Sequence, residues 1–190
     1  MSDSGLSVFI KGKLVDLTSL NSEHINLYTK WENDPYVRLY SRNIIPKTPE
    51  EIKSFVEPSE KGTIKEEISF EVWHQKDKKP IGFGEVADID WYSQIGYLGL
   101  VIGEPEYWGQ KIGEEVIALM VEYAFSELNF FKLHAGVISA NIRSWKCIEK
   151  NGFIREAILR NEAYVHGKYY DYYIYSLFKD NWVENKKQVT

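Results

Sequence analysis

Between Tyr97 and Glu115 the chain reads Tyr-Leu-Gly-Leu-Val-Ile-Gly-Glu-Pro-Glu-Tyr-Trp-Gly-Gln-Lys-Ile-Gly-Glu-Glu, the pattern of a strand, a tight loop and a helix start. Gly109 falls in the loop and Gly113 at the beginning of the helix. Glycine at such places admits positive φ and lets a ligand come close to the backbone. The first amides of a helix have no intrahelical acceptor, and together with the helix dipole they favour an anion. The run therefore proposes a phosphate cradle at residues 109–115, set against a plain glycine-containing strand-to-helix turn. Neither Gly-x-x-x-x-Gly-Lys-Ser/Thr nor Gly-x-Gly-x-x-Gly occurs, which argues against a nucleotide kinase and a dinucleotide dehydrogenase. His24, His74, His134 and His166 are scattered and form no His-Glu-x-x-His pair, so no metal site is expected. Cys147 is the single cysteine, which excludes an internal disulfide; with no histidine near it in sequence it reads as a small buried residue.

The elements that must hold this loop follow from periodicity and turn chemistry. Gly12–Leu20 opens with alternation and reads as a strand, and Ile25, Tyr28 and Trp31 recur at helical spacing before Pro35. Thr48-Pro49-Glu50-Glu51 has the cap, the proline and the glutamate of a helix start, and that helix ends before Pro58. Residues 57–66 read as a mobile polar loop. Ile68–Trp73 and Pro80–Ile89 form a predicted hairpin about Gln75–Lys79, and Tyr97–Ile102 is a further strand. Gly113–Leu128 is the strongest helix, with Val116, Ile117, Leu119, Met120, Tyr123, Ala124 and Leu128 along one broad stripe. Lys132–Ile138 is a strand, Asn141–Asn151 a helix closed by Gly152, and Ile154–Tyr164 and Tyr169–Phe178 a last hairpin. The tyrosines from Tyr169 to Tyr175 read as one strand with both faces occupied, not as a base-stacking platform. Strands before, between and after the helices indicate a single-domain α/β fold with a mixed sheet over residues 1–190, with short tails.

A chain of 190 residues can bury a full core in one domain. With 44% hydrophobic and 27% charged residues it reads as neither disordered nor membrane-spanning, and a net charge of −5 disfavours a broad nucleic-acid footprint. Met1–Leu6 lacks a basic segment followed by an apolar one, so no secretion signal is expected, and a reducing, cytoplasmic setting is the simplest fit.

The same loop resembles the acetyl-coenzyme A loop of the GNAT-type N-acetyltransferase superfamily, whose pattern is Arg/Gln-x-x-Gly-x-Gly/Ala. Pro105-Glu-Tyr-Trp-Gly109, Ala124-Phe125…Leu128-Asn129, Asn141-Ile-Arg-Ser144, Glu149-Lys-Asn-Gly-Phe153 and Gly167-Lys-Tyr-Tyr-Asp171 are similar to the branch holding ribosomal-protein alanine and spermidine acetyltransferases. The resemblance runs over about residues 12–182 and is strongest over 97–182. It implies a mostly antiparallel central sheet flanked by helices, with strands splayed at the coenzyme site. It also implies transfer of an acetyl group from acetyl-CoA to a primary amine by direct attack. The resemblance places the expected cofactor contacts on Val101, Ile102 and Gly103, on Trp108, Gly109, Gln110, Lys111, Ile112, Gly113 and Glu114, and on Asn141 and Ser144. Glu114 and Glu115 read as helix-start residues whose side chains face away from phosphate.

Acyl transfer needs a base for the amine and a proton for the thiolate. Glu85, in mid-strand, is the first candidate base and Glu162 the runner-up; Asp88 and Asp90 read as rim residues that attract a cation. Ser144, one helical turn after Asn141, is the candidate acid, because Ile148 stands where many members carry a tyrosine. Trp108 and Lys111 also depart from the pattern, Lys111 at a motif glycine. The expected partner is an amine-bearing small molecule or a protein N-terminus, without nucleic acid or membrane and with a possible homodimer. A silent acyl-CoA-binding module is the alternative, and a structural dimer subunit a third reading.

Overall fold

The computed structural model describes residues 7–41, 43–57 and 64–189. The expected polar loop at 57–66 falls for its greater part, 58–63, outside the described residues. In chain order the elements are β1 (Val8–Lys11), β2 (Val15–Thr18), α1 (Ile25–Asn33), α2 (Pro49–Val56), β3 (Ile68–His74), β4 (Lys79–Asp90), β5 (Ile95–Ile102), α3 (Ile112–Ser126), β6 (Lys132–Ile138), α4 (Ile142–Lys150), β7 (Ile154–Val165), β8 (Lys168–Phe178) and α5 (Lys179–Val189). The strands form one sheet in the order β1-β2-β3-β4-β5-β6-β8-β7. Every pairing is antiparallel except β5 with β6, so the expected mixed, mostly antiparallel sheet is present.

The parallel pairing is short. It joins Ile95, Gly96 and Tyr97 to Lys132, Leu133 and His134 and then stops, although β5 continues to Ile102 and β6 to Ile138. Beyond Tyr97, β5 is paired only with β4, and past His134, β6 is paired only with β8. The two halves of the sheet thus diverge, leaving a cleft five residues long, about 17 Å at strand rise.

α3 fills one face of the sheet. Val116, Ile117, Met120, Val121, Ala124 and Phe125 are buried there, and a Cβ on Gly84 of β4 would lie 2.9 Å from Met120 Sδ. Each such large side chain contributes about 1.5–3 kcal/mol by leaving water. α1 and α2 cover the opposite face through a smaller cluster of Tyr28, Trp31 and Ile52 against Phe83. α2 begins as its sequence requires, with Thr48 Oγ1 accepting from Glu51 N and the Glu51 carboxylate accepting from Thr48 N.

Three features depart from the sequence reading. The strand read over Gly12–Leu20 is present but shorter, as β2 at Val15–Thr18, because the chain turns at Gly12, where a Cβ would sit 2.3 Å from Val15 O, and β2 pairs back on β1 as a hairpin. β1 adds an outer strand that anchors through Phe9, packed against Phe70 and Tyr123. A polar terminal helix, α5, follows β8 and docks Trp182 against Phe125. No helix among the described residues is long and apolar enough to cross a membrane.

Candidate active site

The amides at the start of α3 form the first part of the site. Glu115 N is the first to return to the helix, donating to Lys111 O at 3.1 Å. The amides from Gly109 to Glu114 have no acceptor among the described residues. Gly109 has φ +79 and nothing within 4 Å of the place a Cβ would take. Lys111, at the missing motif glycine, adopts φ 64 and so takes the left-handed turn that glycine would take. The loop geometry therefore survives the departure, at a strain of about 1–2 kcal/mol. Lys111 now caps the helix with its side chain in solvent, adding charge beside the free amides.

The two glutamates of the first turn point elsewhere. Glu114 pairs with Lys150 of α4 at 2.6 Å, and Glu115 accepts the amides of Lys13 and Leu14 in the β1–β2 turn. Gly113 is crossed by α4, where a Cβ would stand 3.6 Å from Cys147 Sγ and 3.5 Å from Leu100 Cδ2. Arg143 of α4 lies over the Trp108 ring at 4.5 Å, and the Trp108 indole donates to Ile102 O at 2.8 Å. Trp108 thus ties the loop to the end of β5.

Alternation along β5 sorts the expected backbone contacts. Gly103 N donates to Ile81 O at 2.9 Å, so in the antiparallel register Val101 and Gly103 turn their amides to β4. Of the three residues assigned to the coenzyme arm, only Ile102 presents its amide to the cleft, and Leu100 joins it. Gly103 has a packing role: the Trp31 indole lies where its Cβ would be, 2.2 Å away.

On α4, Asn141 is the N-cap, its Oδ1 accepting from Ser144 N at 3.3 Å. The half-buried Ser144 hydroxyl has no hydrogen-bond partner among the described residues. Cys147 lies on the same side, and burial pushes its thiol up to about 12, with Glu114 adding to the effect. Ile148 is buried at 5% exposure.

Glu85 stands on the opposite face of the sheet. Gly84 faces α3, so Glu85 points with Phe83 toward α1, and its carboxylate lies 2.4 Å from the place of a Cβ on Gly99. It makes no hydrogen bond or ion pair among the described residues. Burial raises its carboxyl to about 7, with Glu67, Glu32 and Asp88 contributing repulsion. Sequence reasoning missed Glu32 and Glu67. The signal for Glu32 was its place four residues after Tyr28, on the buried face of α1; burial raises its carboxyl as well. A further acid lies one strand over: Glu71, fully buried, accepts from Tyr28 at 2.5 Å and pairs with His24 at 2.6 Å, its Oε1 without a partner. Glu162 is exposed on the outermost strand, with β5, β6 and β8 between β7 and the strand of Glu85.

A cavity of about 590 Å³ lies behind the loop, lined by Lys13, His74, Asp77, Tyr107 and Gln110 among others. Its groups pair internally, Asp77 with His74 at 2.9 Å and with Tyr107 at 2.5 Å, and Glu85 is not among its lining residues.

The described fold superposes on a spermidine N-acetyltransferase from Vibrio cholerae, solved with CoA and spermine, with a TM-score of 0.80. That match covers 90% of this chain and 99% of the other at 20% sequence identity. In sequence the chain is 35% identical over 99 residues to the uncharacterized N-acetyltransferase YoaA of Bacillus subtilis, and 28% over 94 residues to the spermidine N(1)-acetyltransferase of Vibrio cholerae. These alignments take in 52% and 50% of this chain, and the chain spans about half the length, 54%, of each of these two relatives. Residues 15–154 match the model of the acetyltransferase (GNAT) domain, and the chain belongs to that family.

Proposed function

We propose that the chain transfers the acetyl group of acetyl-CoA to a primary amine of a small polycationic molecule, by direct attack of the amine on the thioester. The observation that carries this reading is Glu85, a carboxyl held near 7 by burial among Glu32, Glu67 and Asp88. A carboxylate so poised takes a proton from an amine at neutral pH, and the surrounding acids favour an acceptor with more than one positive charge. The names of the spermidine acetyltransferase relatives support a polyamine as that acceptor.

Acetyl-CoA supplies the activated acyl group. The free amides from Gly109 to Glu114 hold its pyrophosphate, with Gln110 and the charges of Lys111 and Arg143 beside them. The amides of Leu100 and Ile102 line the cleft, where they bond the arm and stabilise the developing oxyanion. Asn141 and Ser144 form the α4 wall, where the Ser144 hydroxyl hydrogen-bonds the arm near its sulfur. Glu85 deprotonates the amine from the α1 side. No side chain of the site is activated as an acyl-accepting nucleophile, which favours direct attack.

Thiol release from acetyl-CoA on a panel of spermidine, spermine, an amino sugar and a short peptide tests the assignment. Polyamines are expected to lead the panel, and Glu85→Gln to lower kcat by about 10²–10⁴-fold, with acetyl-CoA affinity unchanged by calorimetry. Equal turnover by the variant removes Glu85 as the base, and a peptide-only activity removes the polycationic acceptor.

A further inference from the structure

The acyl transfer proposed above, on which this inference rests, leaves one proton unassigned. As the amine nitrogen bonds the carbonyl carbon, the carbon–sulfur bond breaks, and Glu85 takes a proton from nitrogen. The sulfur departs as a thiolate, and an alkyl thiol is mostly protonated at pH 7. A donor must therefore face the cleft.

Two phenols converge where β5 and β6 part. Tyr97 is the last β5 residue of the β5–β6 ladder, paired in register with His134. Two residues beyond His134 is Gly136, and a Cβ there would stand 2.0 Å from Tyr97 Oη and 2.1 Å from Tyr172 Oη. Both hydroxyls thus occupy the volume of one absent methyl group, at the vertex of the cleft. Tyr97 also shares the face of Glu85. Glu85 is opposite Gly99, Ala87 is opposite Tyr97, and so Glu85 and Tyr97 are diagonal neighbours across β4 and β5, about 7–8 Å apart at their Cα atoms. The bare Gly99 lies between them. Glu85 thus lies over Gly99, and Tyr97 and Tyr172 lie over Gly136, so that a carboxylate and two phenols share one face of the sheet at the vertex of the cleft.

We propose that Tyr97 donates the proton taken up by the departing thiolate, with Tyr172 as the positioning residue that relays its replacement. The O–H bond of Tyr97 breaks as the S–H bond forms. The phenolate recovers a proton through Tyr172 from water, and Glu85 gives its own to solvent, so that amine and thioester become amide and thiol. A phenol, ordinarily near 10, matches an alkyl thiol in acidity. The Cys147 thiol, pushed to about 12 by burial, matches it less well. The Ser144 hydroxyl can hydrogen-bond a sulfur, but as an unactivated alcohol it is a poor acid.

The test is Tyr97→Phe, with thiol release followed from two donors at saturating spermidine: acetyl-CoA, and phenyl thioacetate, whose aryl thiolate leaves without a proton. With acetyl-CoA the rate is expected to fall about 100-fold, the lower end of the range for general acids. With phenyl thioacetate it stays at the wild-type value, and acetyl-CoA affinity by calorimetry stays within twofold. Tyr172→Phe gives a smaller, equally donor-selective loss. Replacement of Tyr97 by 3-fluorotyrosine keeps ring and hydroxyl, covers the case in which the phenylalanine variant fails to fold, and alters the acetyl-CoA rate alone. Wild-type rates in the Tyr97 variants, equal losses with both donors, or a donor-selective loss in Ser144→Ala instead would each overturn the assignment. If the wild type leaves spermidine untouched, the acceptor reading fails separately, and the same comparison is made on hydrolysis of acetyl-CoA by the enzyme, which needs the same proton on sulfur.

Discussion

Replacing Glu85 by glutamine should make the protein more stable as it makes it inactive. The carboxyl rises from 4.5 in an open chain to about 7 in the fold, so the native state holds its proton more tightly than the unfolded state does. Between those two values stability falls as pH rises, because the unfolded chain releases the proton first; above about 7 the whole penalty is present, and below about 4.5 none is. A shift of this size corresponds to about 3 kcal/mol at 1.36 kcal/mol per unit, which partial exposure of the side chain cuts to about 2 kcal/mol. The carboxylate makes no hydrogen bond among the described residues, so glutamine forfeits nothing there, and it has nearly the same volume. At pH 8.5 Glu85→Gln should therefore melt about 4–8 °C above the wild type, and at pH 4.5 the two should coincide. Thermal melts followed by tryptophan fluorescence from pH 4.5 to 9 measure both ends. A variant less stable at high pH, or a gain independent of pH, refutes a desolvated and repelled carboxylate.

Two further outcomes concern the cradle. Gly113→Val should abolish acetyl-CoA binding in calorimetry, whereas Gly113→Ala, whose Cβ meets only ordinary contacts at 3.5 and 3.6 Å, should keep the wild-type melting temperature; normal affinity in the valine variant would displace the phosphate site. Glu115→Gln weakens the hold on the amides of Lys13 and Leu14, and because those bonds are exposed the cost should be about 1 kcal/mol, a drop of about 2–4 °C in Tm. An unchanged melting temperature would mean that the hairpin does not lean on α3.

What the sequence discloses is mostly local. β6 has the bounds that alternation predicts, the capping box of α2 forms as written, and the glycines of the loop lie where the chain needs them. The face of Glu85 was not legible, because alternation places a side chain on one of two faces without saying which is covered. The burial of Met120 against Gly84 and of Phe83 against Tyr28 decides it. Register hid the true orientation of Val101 and Gly103, since the donor that fixes it, Gly103 N to Ile81 O, joins separate strands. Glu115 and Lys13 are 102 residues apart, beyond the reach of any local pattern. α5 escaped notice because it is largely polar and its anchor is one tryptophan.

The brevity of the β5–β6 pairing has a mechanical consequence. Three register pairs and the body of α3 are the main connection between a half that carries Glu85 and a half that carries Tyr172 and Ser144. In the proposed complex the amides of the coenzyme arm lie along this seam, in the place of a missing strand. Filling the cleft should stiffen the pair, so that amide hydrogens of β5 beyond Tyr97 and of β6 beyond His134 exchange most slowly when the coenzyme is in place.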